Sequence, residues 1–146
     1  MSLPEPEEGL VIRYGYLWHS EFLQGREQGA KDRPCAIIVA IRTEPTDRFR
    51  VFVLPITHSP PNAADEAIEI PLNVKRRLDL DHERSWIVLT EWNEFYWPSP
   101  DLARISSEQN APICYGVLPP AFGNHVRQSF AGLVRQRRAK RIIRTE

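Results

Sequence analysis

Arg33 stands at a junction in the chain. A charged, glycine-bearing loop, Gly25-Arg26-Glu27-Gln28-Gly29-Ala30-Lys31-Asp32, precedes it, and the apolar run Cys35-Ala36-Ile37-Ile38-Val39-Ala40-Ile41 follows Pro34. Proline fixes its own φ and biases the residue before it toward an extended backbone, so Arg33 is expected at the mouth of a strand. A guanidinium held there is suited to an oxyanion, because its planar fork grips two phosphate oxygens at once. It is a poor acid, with a pKa above ~12. A second polar group, Thr57, closes Pro55-Ile56-Thr57 and offers a hydroxyl. Neither group takes up a proton near neutral pH. Three residues compete for the role of proton acceptor: Glu91 at the end of an apolar run, His58 beside Thr57, and His19. Burial would raise a carboxyl such as Glu91 toward neutrality, and an imidazole already titrates there. The four histidines and two cysteines show no metal-ligand spacing, so no metal and no cofactor is expected.

The elements that must position these groups are short. Val11 to Phe22 reads as a strand interrupted by Gly15, Cys35–Ile41 as a buried strand, and Phe49–Leu54 as a strand that Pro55 permits only as an edge or a bend. Ala67–Ile70, Ser85–Thr90 and Ile113–Leu118 are further strand candidates, with Glu91–Trp97 continuing the second of them. A helical turn falls within Leu72–Arg84. After Pro119-Pro120 the period changes. Phe122, Val126, Phe130, Leu133 and Val134 recur every three to four residues, the mark of an amphipathic helix with prolines at its start. Strands at close spacing followed by one helix predict a mainly β domain, a small barrel with a C-terminal α-helix.

With 146 residues, 42% hydrophobic and 26% charged, the chain is expected to be one ordinary globular domain. Residues 1–10 are expected to be disordered, 11–138 to form the domain, and 139–146 to be a basic tail. No apolar run has the ~18 residues of a membrane helix. The acidic, proline-containing start lacks the basic and apolar stretches of a signal peptide. Cys35 and Cys114 lie in apolar runs and read as reduced core thiols, as expected in the cytoplasm. The formal net charge of zero hides an asymmetry: from Arg127 onward seven bases face Glu146 alone. Such an end suits either a polyanionic partner or the negative end of a helix dipole.

In order along the chain, these pieces resemble the MazF/PemK toxins of toxin–antitoxin pairs. The resemblance rests on Gly15-Tyr16-Leu17-Trp18, Gly25-Arg26-Glu27-Gln28-Gly29, Arg33-Pro34 with its strand, Pro55-Ile56-Thr57, Trp86-Ile87-Val88-Leu89-Thr90-Glu91, and the terminal helix. It covers roughly residues 11–138. It implies an SH3-like barrel, a homodimer, an antitoxin protein as partner (and DNA binding through that complex), and metal-independent cleavage of single-stranded RNA. Arg33 and Thr57 would be the active pair, with Glu91 or His58 as base. Arg26, Gln28, Lys31, Ser59 and Trp92 would contact RNA, Trp92 by stacking unless its aromatic group fills a core or an interface. Arg26 and Leu89 stand where some members carry a histidine and an arginine, which opens an alternative: a binding module on the same fold that has lost cleavage. A gyrase poison on this fold would need an apolar, Trp-containing end, unlike Arg141-Ile142-Ile143-Arg144.

Overall fold

The computed structural model describes residues 3–145. Its strands are β1 (Leu10–Tyr14), β2 (Arg33–Thr43), β3 (Arg48–Thr57), β4 (Ala67–Glu69), β5 (Trp86–Val88), β6 (Glu91–Tyr96), β7 (Cys114–Val117) and β8 (Lys140–Ile143). Three helices join them: α1 (His19–Leu23), α2 (Leu72–Arg77) and α3 (Pro120–Arg135). The strands form one sheet in the order β4-β5-β3-β2-β1-β7, with β6 also on β3 and β8 on β6. All pairs are antiparallel except β6 with β8. Among the described residues no ladder joins β7 to β4 or β8, so the sheet is open. The fold is mainly β with a C-terminal helix, as the strand and helix periods predict.

Both faces of the sheet are buried, which is why its central strands read as almost unbroken apolar runs. Strand side chains alternate between faces. Val11, Ala36, Ile38, Leu54 and Ile56 point to one side, where Val126, Phe130 and Leu133 of α3 cover them. Ile12, Cys35, Ile37, Val51 and Val53 point to the other and pack with Tyr14, Phe95, Trp97 and Ile113. Helix α3 starts as expected, with Pro120 in its first turn. Pro55 sits inside a central strand without cost to the ladder. β3 pairs with β6 through Arg50–Val53 and with β5 through Ile56 and Thr57, so Pro55 falls where the partner changes.

Four expectations need correction. The first strand stops at Tyr14, and His19–Leu23 is helical. Glu91–Tyr96 is a strand of its own rather than a continuation of Trp86–Val88, because the two engage different parts of β3. Residues 3–10 are tied down: the Gly9 N–H donates to the Ile37 carbonyl at 2.8 Å, and Leu10 is buried in β1. Met1 and Ser2 lie outside the described residues. The helix does not end the fold, since half of the expected basic tail, Lys140–Ile143, is strand β8; Glu146 lies outside the described residues.

Two bases of that segment, Arg141 and Arg144, reach buried polar groups. Arg141 donates two hydrogen bonds to the buried Glu94 carboxylate, at 2.8 and 2.7 Å, and Arg50 Nε donates a third at 2.7 Å. Burial pushes the Glu94 carboxyl up, but the bonds from Arg141, Arg50 and the Trp92 indole outweigh it and hold the group below its ordinary value. Arg144 is buried; its Nη1 donates to Tyr14 Oη, the Gly15 carbonyl and Asn93 Oδ1, and its Nη2 to Asp101 at 2.6 Å. Breaking a buried ion pair from one side leaves the other charge and its neighbours unsatisfied. Arg144→Ala is therefore expected to lower stability by about 3 kcal/mol, read as a fall in the urea midpoint at unchanged m-value. A shift under about 0.5 kcal/mol, the size of an ordinary surface change, would show that the network does not anchor β8.

Candidate active site

The β2–β3 ladder brings Arg33 and Thr57 together. Cys35 faces Pro55, Ala36 faces Leu54 and Ile37 faces Val53. The same register, carried on by two residues, sets Arg33 opposite Thr57. Both line a pocket of roughly 160 Å³ with Lys31, Asp32, His58 and Asp81. Thr57 also lines a second pocket of roughly 350 Å³ that contains Trp18, Ser59 and Thr90. The two pockets meet at Thr57, whose Oγ1 accepts the Ser59 N–H at 3.2 Å.

Arg33 is only loosely engaged by the protein. Its guanidinium lies 4.9 Å over the Trp18 ring, and Nη1 reaches the Ile56 carbonyl at a long 3.4 Å. Its Nε is buried and has no hydrogen-bond partner among the described residues. A buried donor left unpaired is costly, so a guanidinium in this state favours an incoming oxygen acceptor.

Two residues absent from the sequence-based expectations fix the surroundings of Arg33. The buried Asn93 side chain accepts the Leu17 N–H at 2.9 Å and donates to the Leu17 carbonyl at 2.8 Å, which ties the segment before Trp18 to β6. The Glu21 carboxylate accepts the Trp18 N–H at 3.0 Å and the Ala30 N–H at 3.2 Å, and pairs with Arg26 at 2.9 Å. Glu21 thus clips the Gly25–Asp32 loop onto α1. Arg26 is spent on that clip. Gln28 is exposed beside it, in a shallow recess with Glu27 and Gly29. The spacing of Glu21 from the N-terminus of a short helix was the one available sequence signal, half of a capping box. Asn93 gave none.

Gly29 explains its own identity. A Cβ there would stand 2.1 Å from the Tyr16 carbonyl oxygen and 2.8 Å from its carbon. The loop packs backbone on backbone against the segment that runs from the end of β1 to Trp18.

The proton-transfer candidates are divided. Glu91 lines neither pocket; it is half-buried and accepts the Tyr16 hydroxyl at 3.1 Å and the His19 backbone N–H at 2.9 Å. Burial raises its carboxyl, the His19 N–H and Tyr16 bonds draw it back only in part, and it settles above its ordinary 4.5. Its neighbour Thr90 and the Tyr16–Trp18 edge contact, with centroids 5.2 Å apart, connect it to the second pocket, which meets the Arg33 pocket at Thr57. His58 lies in the pocket wall, with Nε2 2.7 Å from Asp81 Oδ2 and Nδ1 3.7 Å from Glu83. His19 is half-buried beside Glu91. Trp92 is placed elsewhere. It is buried against Phe52 and Phe130 under α3, and its indole N–H donates to Glu94, so it is a core residue and not a stacking surface for RNA. Trp18, which no spacing argument singled out, is the aromatic ring beside Arg33.

Comparison with protein-family models, with curated proteins and with solved structures gives no match.

This geometry makes two expectations measurable. Because Glu91 binds its proton more tightly folded than unfolded, its contribution to stability declines as pH rises from about 4.5 through its folded value. Glu91→Gln is expected to remove that decline, visible as a flatter curve of urea midpoint against pH than the parent. Parallel curves would show that Glu91 does not carry the shift. Gly29→Ala is expected to cost on the order of 1–3 kcal/mol, the range for overpacking, measured by thermal unfolding. No change would mean that the loop moves aside freely.

Proposed function

We propose that this chain is an endoribonuclease of the MazF/PemK kind, acting on single-stranded RNA by attack of the ribose 2′-OH on its own 3′ phosphate. The products are a cyclic phosphate and a 5′-OH end. The reading rests most on one observation: Arg33 Nε, buried and unpaired, in a pocket wall with Thr57. A phosphodiester oxygen supplies the missing acceptor, and the fork stabilises the charge that develops on the phosphorane. Thr57 Oγ1 bonds a phosphate oxygen or orients the 2′-OH. Lys31 and Ser59 flank the strand of nucleotides, one in each of the two pockets that meet at Thr57. The base is either Glu91, whose carboxyl burial raises above its ordinary value, or His58, which lines the Arg33 pocket itself. The same reading takes the open, branched sheet as an SH3-like barrel, the active form as a homodimer in the cytoplasm, and an antitoxin protein as the natural inhibitor.

A second reading has its own support. Glu91 is held by Tyr16 and His19, and His58 by Asp81, so neither base is free. The same pocket then binds a phosphodiester without cleaving it.

Incubation with long single-stranded RNA in EDTA, followed by mapping of 5′-OH ends, separates the two. Discrete cuts are expected, reduced by roughly 100-fold or more in Arg33→Ala, the loss typical of removing one charge-stabilising donor. Thr57→Val is expected to keep the fold and lose most of the activity. RNA that stays intact but is retained by folded protein, with retention lost in Arg33→Ala, would support the binding module. RNA neither cut nor bound would overturn both.

A further inference from the structure

Histidine and cysteine spacing alone points to no metal site in this chain. The fold, however, brings two carboxylates to a histidine from a distant segment. His58, Asp81 and Glu83 each present a ligand atom, all within 4.8 Å of one another, and all three side chains are exposed. The geometry points to a divalent transition-metal site built by these three residues, independent of whether RNA is the substrate.

The donor set decides the class of ion. One imidazole nitrogen and two carboxylate oxygens suit zinc or cobalt; magnesium and calcium favour all-oxygen shells. Three protein ligands leave a coordination position open. His58 and Asp81 line the pocket shared with Arg33 and Thr57, so that open position borders it.

The charge around the site is prearranged. Lys75 is buried, and it bonds Asp81 Oδ1 at 2.7 Å, Ser85 Oγ at 2.9 Å and the Glu83 carbonyl. These three bonds hold it on the Oδ1 side of Asp81. Asp81 Oδ2 faces His58 instead, at 2.7 Å. An ion that binds His58 Nε2 replaces its hydrogen bond to Asp81, and the ring proton moves from Nε2 to Nδ1, on the side that faces Glu83. Lys75 continues to orient Asp81 and the Glu83 backbone from outside the ligand set, a kind of support that sustains metal affinity. Two carboxylates against one ammonium leave the site net negative.

The test uses the full chain, stripped with EDTA and exchanged into metal-free buffer. Zinc titration by calorimetry is expected to give one ion per chain. In ring-nitrogen NMR, the His58 signals are expected to move on zinc addition while those of His19, His82 and His125 stay. His58→Ala and Glu83→Gln are each expected to weaken binding by roughly tenfold or more. His82→Ala, between the two carboxylates yet outside the cluster, is expected to leave it unchanged. Absence of zinc binding, equal affinity in all three variants, or equal movement of all four histidines would overturn the proposal. The RNA assay in EDTA is read separately, so the two proposals fail independently.

Discussion

The register of β2 against β3 is the constraint on which the site depends. A shift of one residue would send Arg33 and Thr57 to opposite faces of the sheet. Both faces are apolar, so side-chain hydrophobicity alone does not forbid that slip. Two local devices do. At one end, Thr43 faces Arg48, the Thr43 hydroxyl donates to the Arg48 carbonyl at 2.7 Å, and the turn closes with Asp47 at φ 56°, a conformation that a short polar side chain tolerates. Further along, the register shifts between Ile37 and Val39, a bulge that fixes which residues lie beyond it. The alignment at Cys35–Pro55, and with it the Arg33–Thr57 pair, follows from these two points.

β3 also divides the sheet. Its first half carries β6 and through it β8, and its last two residues carry β5 and β4. The pairing offsets differ by three residues between the two halves: Ile56 faces Ile87, whereas Val53 faces Asn93. The residues taken up by this slip lie between β5 and β6, next to Glu91. That break delivers Glu91 to Tyr16 and His19, and Asn93 to Leu17. The polar groups around the site thus come from a discontinuity in the sheet, where side chains can reach across without competing with a ladder.

Charge at the C-terminal end serves the fold first. Arg141 and Arg50 neutralise Glu94 inside the structure, and Arg144 reaches the start of the chain through Tyr14 and Gly15. Other bases there are paired at the surface, as Arg138 is with Asp65 at 2.7 Å. A basic run read along the sequence looks like a tail seeking a polyanion. In space much of it is countercharge to acids far away in the chain.

What the sequence by itself determined was local. The strand period in Cys35–Ile41 and Phe49–Leu54, the helix after Pro119-Pro120, and the strand-mouth position of Arg33 follow from backbone preference and side-chain periodicity, which act over a few residues. The mainly β class was legible for that reason, whereas Arg33 and Thr57 were expected together only through the resemblance in chain order, and the β2–β3 register is what places them side by side. Tertiary structure alone decided the rest: that Trp92 is core and Trp18 sits by Arg33, that Glu21 and Asn93 hold the loop and the segment before Trp18, that β8 adds to the sheet beside β6, and that Asp81 and Glu83 meet His58. Each of these depends on contacts between residues far apart in the chain. Such contacts leave no periodic mark in a sequence, because the partner is selected by packing and charge in three dimensions.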